Sequence, residues 1–176
     1  MKADAFVRHL QRAKPDRATL EEYGLDEEEI EEIESTFTAS RRLPHAEGVL
    51  SEAVRMVVEF DCAKLEVGPI CFNGEPRPLA KGVCFAVCEA DPLMVVDSGA
   101  VVLCDHEEPE RVQLACAADA ERFLDALARF VTVRQDRERW MGKVEEASAL
   151  CAEAAGGASY SDFYRMLCAF LHREAP

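Results

Sequence analysis

The sequence is short of positive charge: 20 Lys and Arg stand against 34 Asp and Glu, a formal net charge of −14. Phosphate contacts need clustered Lys and Arg, so nucleic acid and anionic membrane surfaces are not expected as direct partners. A basic protein, or no partner, suits this balance. No apolar run approaches the ~20 residues of a membrane span. The opening MKADAFVRHLQRAKPDRA lacks the apolar core of a signal peptide, so the cytoplasm is the expected compartment. Glycine-rich phosphate loops are missing too, since Gly82 and Gly99 are isolated, and no dinucleotide fingerprint exists. Histidine is scarce, at positions 9, 45, 106 and 172, and none sits beside a Ser, Cys or Thr in a recognisable catalytic motif. There is no CxxC pair and no HxxxH. Cys84-x3-Cys88 and Cys104-x-His106 are close pairs of metal-ligating type without the spacing of a zinc motif, so neither a metal nor another cofactor is expected.

What is present is a globular composition, 49% hydrophobic and 31% charged, long enough for one domain with a sizeable core. The eight cysteines lie mostly inside apolar strands or on apolar helix faces, as small hydrophobes of a reducing compartment do.

The stretch from Leu93 to Phe130 organises the chain. Asp97-Ser98-Gly99 is a tight-turn signal between two β-branched runs, Met94 to Val96 and Ala100 to Cys104, and predicts a hairpin. Glu107-Glu108-Pro109-Glu110 interrupts the pattern, because Pro offers no N–H to a ladder. A strand over Val112 to Cys116 follows. Asp119 is placed to cap a helix whose apolar stripe is Ala120, Phe123, Leu124, Leu127 and Phe130.

Other elements fall on both sides. Phe6, Leu10 and Ala13 line a first helix stopped by Pro15, and Thr19 to Tyr23 is a second turn stopped by Gly24. Asp26 to Ala39 is a third helix with Ile30, Ile33 and Phe37 as its stripe. Its remaining faces are acidic, with nine acids and no base between Glu21 and Glu34, which reads either as a solvated face or as a partner-facing surface. Arg41 to Gly48 is a loop. Leu50 to Phe60 reads as a helix, or as a strand by its β-branched content. Lys64 to Phe72 is a strand in which Gly68-Pro69 suggests a bulge or an edge, and Asn73 to Pro78 is a turn. Leu79 to Ala90 is a central strand, with Cys84 and Cys88 expected on one face. Arg134 to Ala155 predicts a long helix through Trp140, Val144, Ala147, Cys151 and Ala154. Gly156-Gly157 ends it, and a last helix carries Tyr160, Phe163, Tyr164, Leu167, Cys168 and Leu171. Residues 134–176 thus form a helical hairpin annexed to a single domain over 1–176.

The succession G-x-V-x-x-x-DHE-x-P (Gly99 to Pro109), Cys116-Ala117 and FLDAL (Phe123 to Leu127) resembles the SUKH superfamily, best known as bacterial immunity proteins. FDCAKLEVGPICF (Phe60 to Phe72) and EADPL (Glu89 to Leu93) are similar to the strands that precede this unit in the family, and the likeness spans Val49 to Val131. The resemblance and the hairpin signals imply an α+β fold, with a mostly antiparallel sheet of four to six strands flanked by helices from both ends of the chain. The resemblance also implies a binding module rather than an enzyme: an immunity protein that neutralises a cognate toxin, often a nuclease. The alternative is an intracellular adaptor or regulator of the same fold with no toxin partner.

A partner surface is expected where acids gather without bases. Glu89, Asp91, Asp97, Asp105, Glu107, Glu108 and Glu110 are seven acids in a stretch with no Lys or Arg. Strand ends and turns place many of them at an exposed sheet rim. His106 falls among them, and Asp105-His106-Glu107 could also supply acid and base groups or metal ligands, although such a turn beside Pro109 is more often a polar loop.

Overall fold

The computed structural model describes residues 1–42 and 50–170. A six-stranded antiparallel sheet in simple sequential order forms its centre. The strands are β3 (Glu66–Val67), β4 (Ile70–Leu79), β5 (Gly82–Cys88), β6 (Asp91–Val96), β7 (Val101–Cys104) and β8 (Val112–Ala117). A separate two-stranded pair, β1 (Ser40–Arg41) with β2 (Phe60–Asp61), was not foreseen from the sequence. The fold is α+β, with helices from both ends of the chain packed on the sheet.

The helices are α1 (Ala3–Ala13), α2 (Arg17–Glu22), α3 (Glu27–Thr36), α4 (Glu52–Glu59), α5 (Ala120–Gln135), α6 (Arg137–Trp140), α7 (Val144–Ala155) and α8 (Ser161–Phe170). Asp119 caps α5 by accepting from the Arg122 N–H at 2.8 Å, and Phe123, Leu124 and Leu127 are fully buried. Spacing of three and four residues places them on one face, which therefore lies on the sheet. α1 is tied to α4 by Glu52, whose carboxylate accepts from the Ala3 N–H at 2.9 Å. Six aromatic rings then run in contact from the first helix to the last: Phe6, Phe72, Phe85, Phe123, Phe163 and Tyr164, with successive centroids 5.1 to 6.5 Å apart. The Tyr164 hydroxyl donates to the Cys116 carbonyl at 3.0 Å. A buried phenol thereby finds its partner on β8.

The sheet's second face holds a small cluster of Cys84, Met94, Val102 and Cys104, joined by Leu79 and Val96, all of them strand residues. Cys84 and Cys88 do not share a face. Phe85 is an extra residue opposite the Met94/Leu93 step of β6, and such a bulge advances the side-chain alternation by one. Cys84 consequently points to the second face, while Phe85, Ala86 and Cys88 all join the main core. At the start of this strand Gly82 passes so close to β6 that a Cβ would lie 2.1 Å from the Val95 carbonyl oxygen, so only glycine fits.

Other boundaries also differ from expectation. Gly68-Pro69 is the turn of a β3–β4 hairpin, with Val67 pairing Ile70. Asn73 to Pro78 belongs to β4, carried through a register irregularity between Phe72 and Arg77. Pro76 and Pro78 are accommodated because β3 pairs only Ile70 and Cys71, leaving that flank of β4 without a neighbour that needs their N–H. The expected helix from Arg134 does not exist as one piece. α5 runs on to Gln135, α6 is a single turn, and Gly142 at φ +76° separates it from α7. The loop expected at Arg41 to Gly48 lies, from residue 43, outside the described residues, as do Leu171 and the end of the hairpin. No described helix is long and apolar enough to cross a membrane.

Candidate functional site

The acidic stretch is built on two connections of the sheet. The β5–β6 turn presents Glu89 and leads into Asp91. The β7–β8 loop carries Asp105 to Glu110. Antiparallel pairing sets Cys88 opposite Asp91 and Val112 opposite Cys104, so both connections emerge at the end of the sheet where β6 begins. Asp97 follows Val96, which pairs with Gly82 at the other end of β6. It is exposed and does not join the others.

The two connections are clamped together. Asp91 Oδ1 accepts from the His106 backbone N–H at 3.0 Å and lies 2.7 Å from His106 Nδ1. Asp91 Oδ2 accepts from the Gln113 side-chain amide at 3.0 Å. The hydrogen bond to Asp91 raises the His106 pKa above its usual value, against the opposing effect of desolvation. The imidazolium gains more from this carboxylate than the neutral ring does.

Asp105 departs from the expectation of an exposed rim. It is 8% exposed, and Oδ1 accepts from the backbone N–H of Glu107 at 2.8 Å and of Glu108 at 3.3 Å. Its other oxygen accepts from the Arg111 guanidinium. Arg111 foremost, then the two backbone donors, hold the Asp105 carboxyl below its usual pKa. Asp105 shapes the loop, as an Asx residue that bonds its own following backbone does. Glu89, Glu107, Glu108 and Glu110 are the exposed members. Glu89 stands at φ +57°, the one non-glycine residue in the left-handed region among the described residues.

Two bases outside the stretch reach this surface. Arg111 falls one residue past the acidic stretch and approaches Glu108 as well, at 3.9 Å. Lys81 donates to the Glu110 carbonyl, a contact across 29 positions that only strand order creates. The stretch has no base within it, but its surface is partly neutralised.

Asp91, Asp105 and His106 can each bring one ligand-type atom within 4.8 Å of the others, the one such trio among the described residues. Their atoms are already engaged in the loop's own hydrogen bonds, so the arrangement acts as a clamp. His9 lies 3.2 Å from the Ala128 carbonyl on α5; His45 and His172 are outside the described residues. The cysteines are free thiols, all buried except Cys71. Burial pushes the thiols of Cys62 and Cys88 up to about 12, which leaves them as unreactive hydrophobes.

The fold and this end of the sheet define an α+β protein with a mainly acidic rim whose two connections are joined by hydrogen bonds. No family model matches the chain, and neither curated proteins nor solved structures give a match.

Proposed function

We propose that this protein is a non-catalytic binding module of the cytoplasm, an immunity protein that neutralises a cognate toxin with a basic surface, such as a nuclease. The observation that carries the reading is the set of four exposed carboxylates, Glu89, Glu107, Glu108 and Glu110, on two turns locked together through Asp91 and His106. A nuclease is basic where it holds phosphate, and an acidic, preorganised edge gains encounter rate against such a surface. The likeness in sequence to the SUKH superfamily supports the same reading. His106 and Asp105, the groups closest to acid–base chemistry, serve the loop.

The test is kinetic. Glu89, Glu107, Glu108 and Glu110 are reversed to Lys, and association with the product of a neighbouring gene, if that product is toxic, is followed at low and high salt. Asp105 is left intact, because reversing it would break the loop that presents the others. Association slowed by about tenfold or more at low salt, with a flatter salt dependence, is expected. An unchanged rate in a folded variant would remove the edge from the interface. A neighbouring gene whose product neither binds nor is neutralised would favour an adaptor of the same fold.

A further inference from the structure

The helix pair α2–α3 stands apart from the body. Leu20 and Ile30 are buried, yet neither belongs to the main core or to the second-face cluster, so this arm has a small core of its own. Charge fastens it at its base. Lys14 reaches Glu34 at 2.9 Å, and within the arm Arg17 pairs with Glu27 and lies 3.8 Å from Glu34.

Between arm and body lie two adjoining cavities of about 220 and 500 Å³, which share Phe37, Glu66 and Arg134. The body side is floored by core residues, Val67 and Val131 among them. The arm side presents Ile33 and Phe37, which remain half-buried. Glu29, Glu32 and Glu66 stand exposed around the opening, and Arg134 is the base among the described lining residues. The opening is continuous with the acidic edge: Gly68 lines the cleft, and the carbonyl of the next residue, Pro69, accepts from the Glu89 N–H at 2.9 Å.

We infer that this cleft receives an apolar side chain from a Lys- or Arg-rich segment of the partner protein. The inference rests on the binding reading above and adds a second contact to it. An apolar floor under an acidic opening matches an amphipathic basic segment, whose aliphatic anchor is desolvated while its cations meet the carboxylates. A second copy of this chain brings the same −14 charge, and nucleic acid or anionic lipid is repelled as well.

The probe is a fluorescent amphipathic peptide with leucines one helical turn apart and lysines elsewhere, together with a twin in which glutamate replaces lysine. Both are titrated into the full chain by anisotropy, with backbone NMR to locate the footprint. The lysine peptide is expected to shift Ile33, Phe37 and Val67, and the glutamate twin to bind at least about tenfold more weakly. The pair Glu32→Lys and Glu66→Lys should weaken the lysine peptide by about tenfold at low salt and less at high salt. Ile33→Ser, with an unchanged melting temperature, should weaken it at both. Equal binding of the twin, self-association through the cleft in sedimentation, or no peptide binding at all overturns the inference. A footprint confined to the Glu89–Glu110 turns, abolished by Glu107→Lys with Glu108→Lys, also overturns it while leaving the acidic edge as the interface. Failure of the toxin to bind the unaltered chain would instead remove the reading on which it rests.

Discussion

The body and the α2–α3 arm are held by different forces. In the body, Phe6 to Tyr164 stack through the main core without a break, and buried apolar area supplies most of the stability. The arm buries Leu20 and Ile30 and otherwise depends on ion pairs and on the Asp26–Glu29 capping box. Exposed ion pairs each contribute little. The arm should therefore open at a free energy well below that of global unfolding, which suits a segment that lines a binding cleft.

Mutations can break or sharpen that contrast. The largest effect is expected at the ring chain: Phe123→Ala should cost about 3 to 5 kcal/mol in chemical denaturation, and a loss under about 1 kcal/mol would mean the chain of rings is not the core. Tyr164→Phe leaves the Cys116 carbonyl without its donor. It should lower stability by about 1 to 2 kcal/mol with an unchanged denaturant slope. Asp26→Ala removes the cap of α3 and should cost about 1 kcal/mol locally. Hydrogen exchange is the measurement: α3 amides should exchange faster while the body's slowest amides do not move. If both change together, arm and body are one cooperative unit and the contrast fails.

The smallest effect belongs to pH. The folded His106 pKa is raised, so its clamp on Asp91 contributes fully below the ordinary histidine range and is lost as pH rises through the folded value. NMR titration should find its midpoint above that of a free histidine, and Asp91→Asn should return it. Asp105 behaves oppositely. Its lowered pKa keeps the Arg111 contact through neutral pH and releases it only as pH falls through the depressed folded value.

Much of the body is legible in the sequence because its signals are local. The Asp97–Gly99 turn, the Asp119 cap and the stripe of α5 each state their structure within a few residues. The bulge at Phe85 carries no Gly or Pro to announce it, so simple alternation puts Cys84 and Cys88 on a common face. The prolines of β4 beyond Asn73 look like a turn until the missing neighbour on that flank is known. The candidate site was legible as a cluster of charge but not as a surface. Asp97 leaves it through strand direction, Asp105 turns inward to its own loop, and Lys81 enters from another strand. The cleft beside α3 depends on how an arm sits against a body. No periodicity records that.

The extra residue at Phe85 gives β5 a change of phase partway along its length. Upstream of it, odd positions such as Val83 look into the helices; downstream, even positions such as Ala86 and Cys88 do. Removing one residue away from the bulge would thus be less a shortening than an exchange of inside for outside. A single-residue deletion scan should find Val83, Cys84 and Val87 intolerant, producing insoluble protein, whereas loss of Ala86 removes the bulge and leaves Val83, Cys84 and Cys88 on their faces. The exposed tip of the Glu107–Glu110 loop, which holds no alternation to invert, should accept the same deletion and still yield a folded chain.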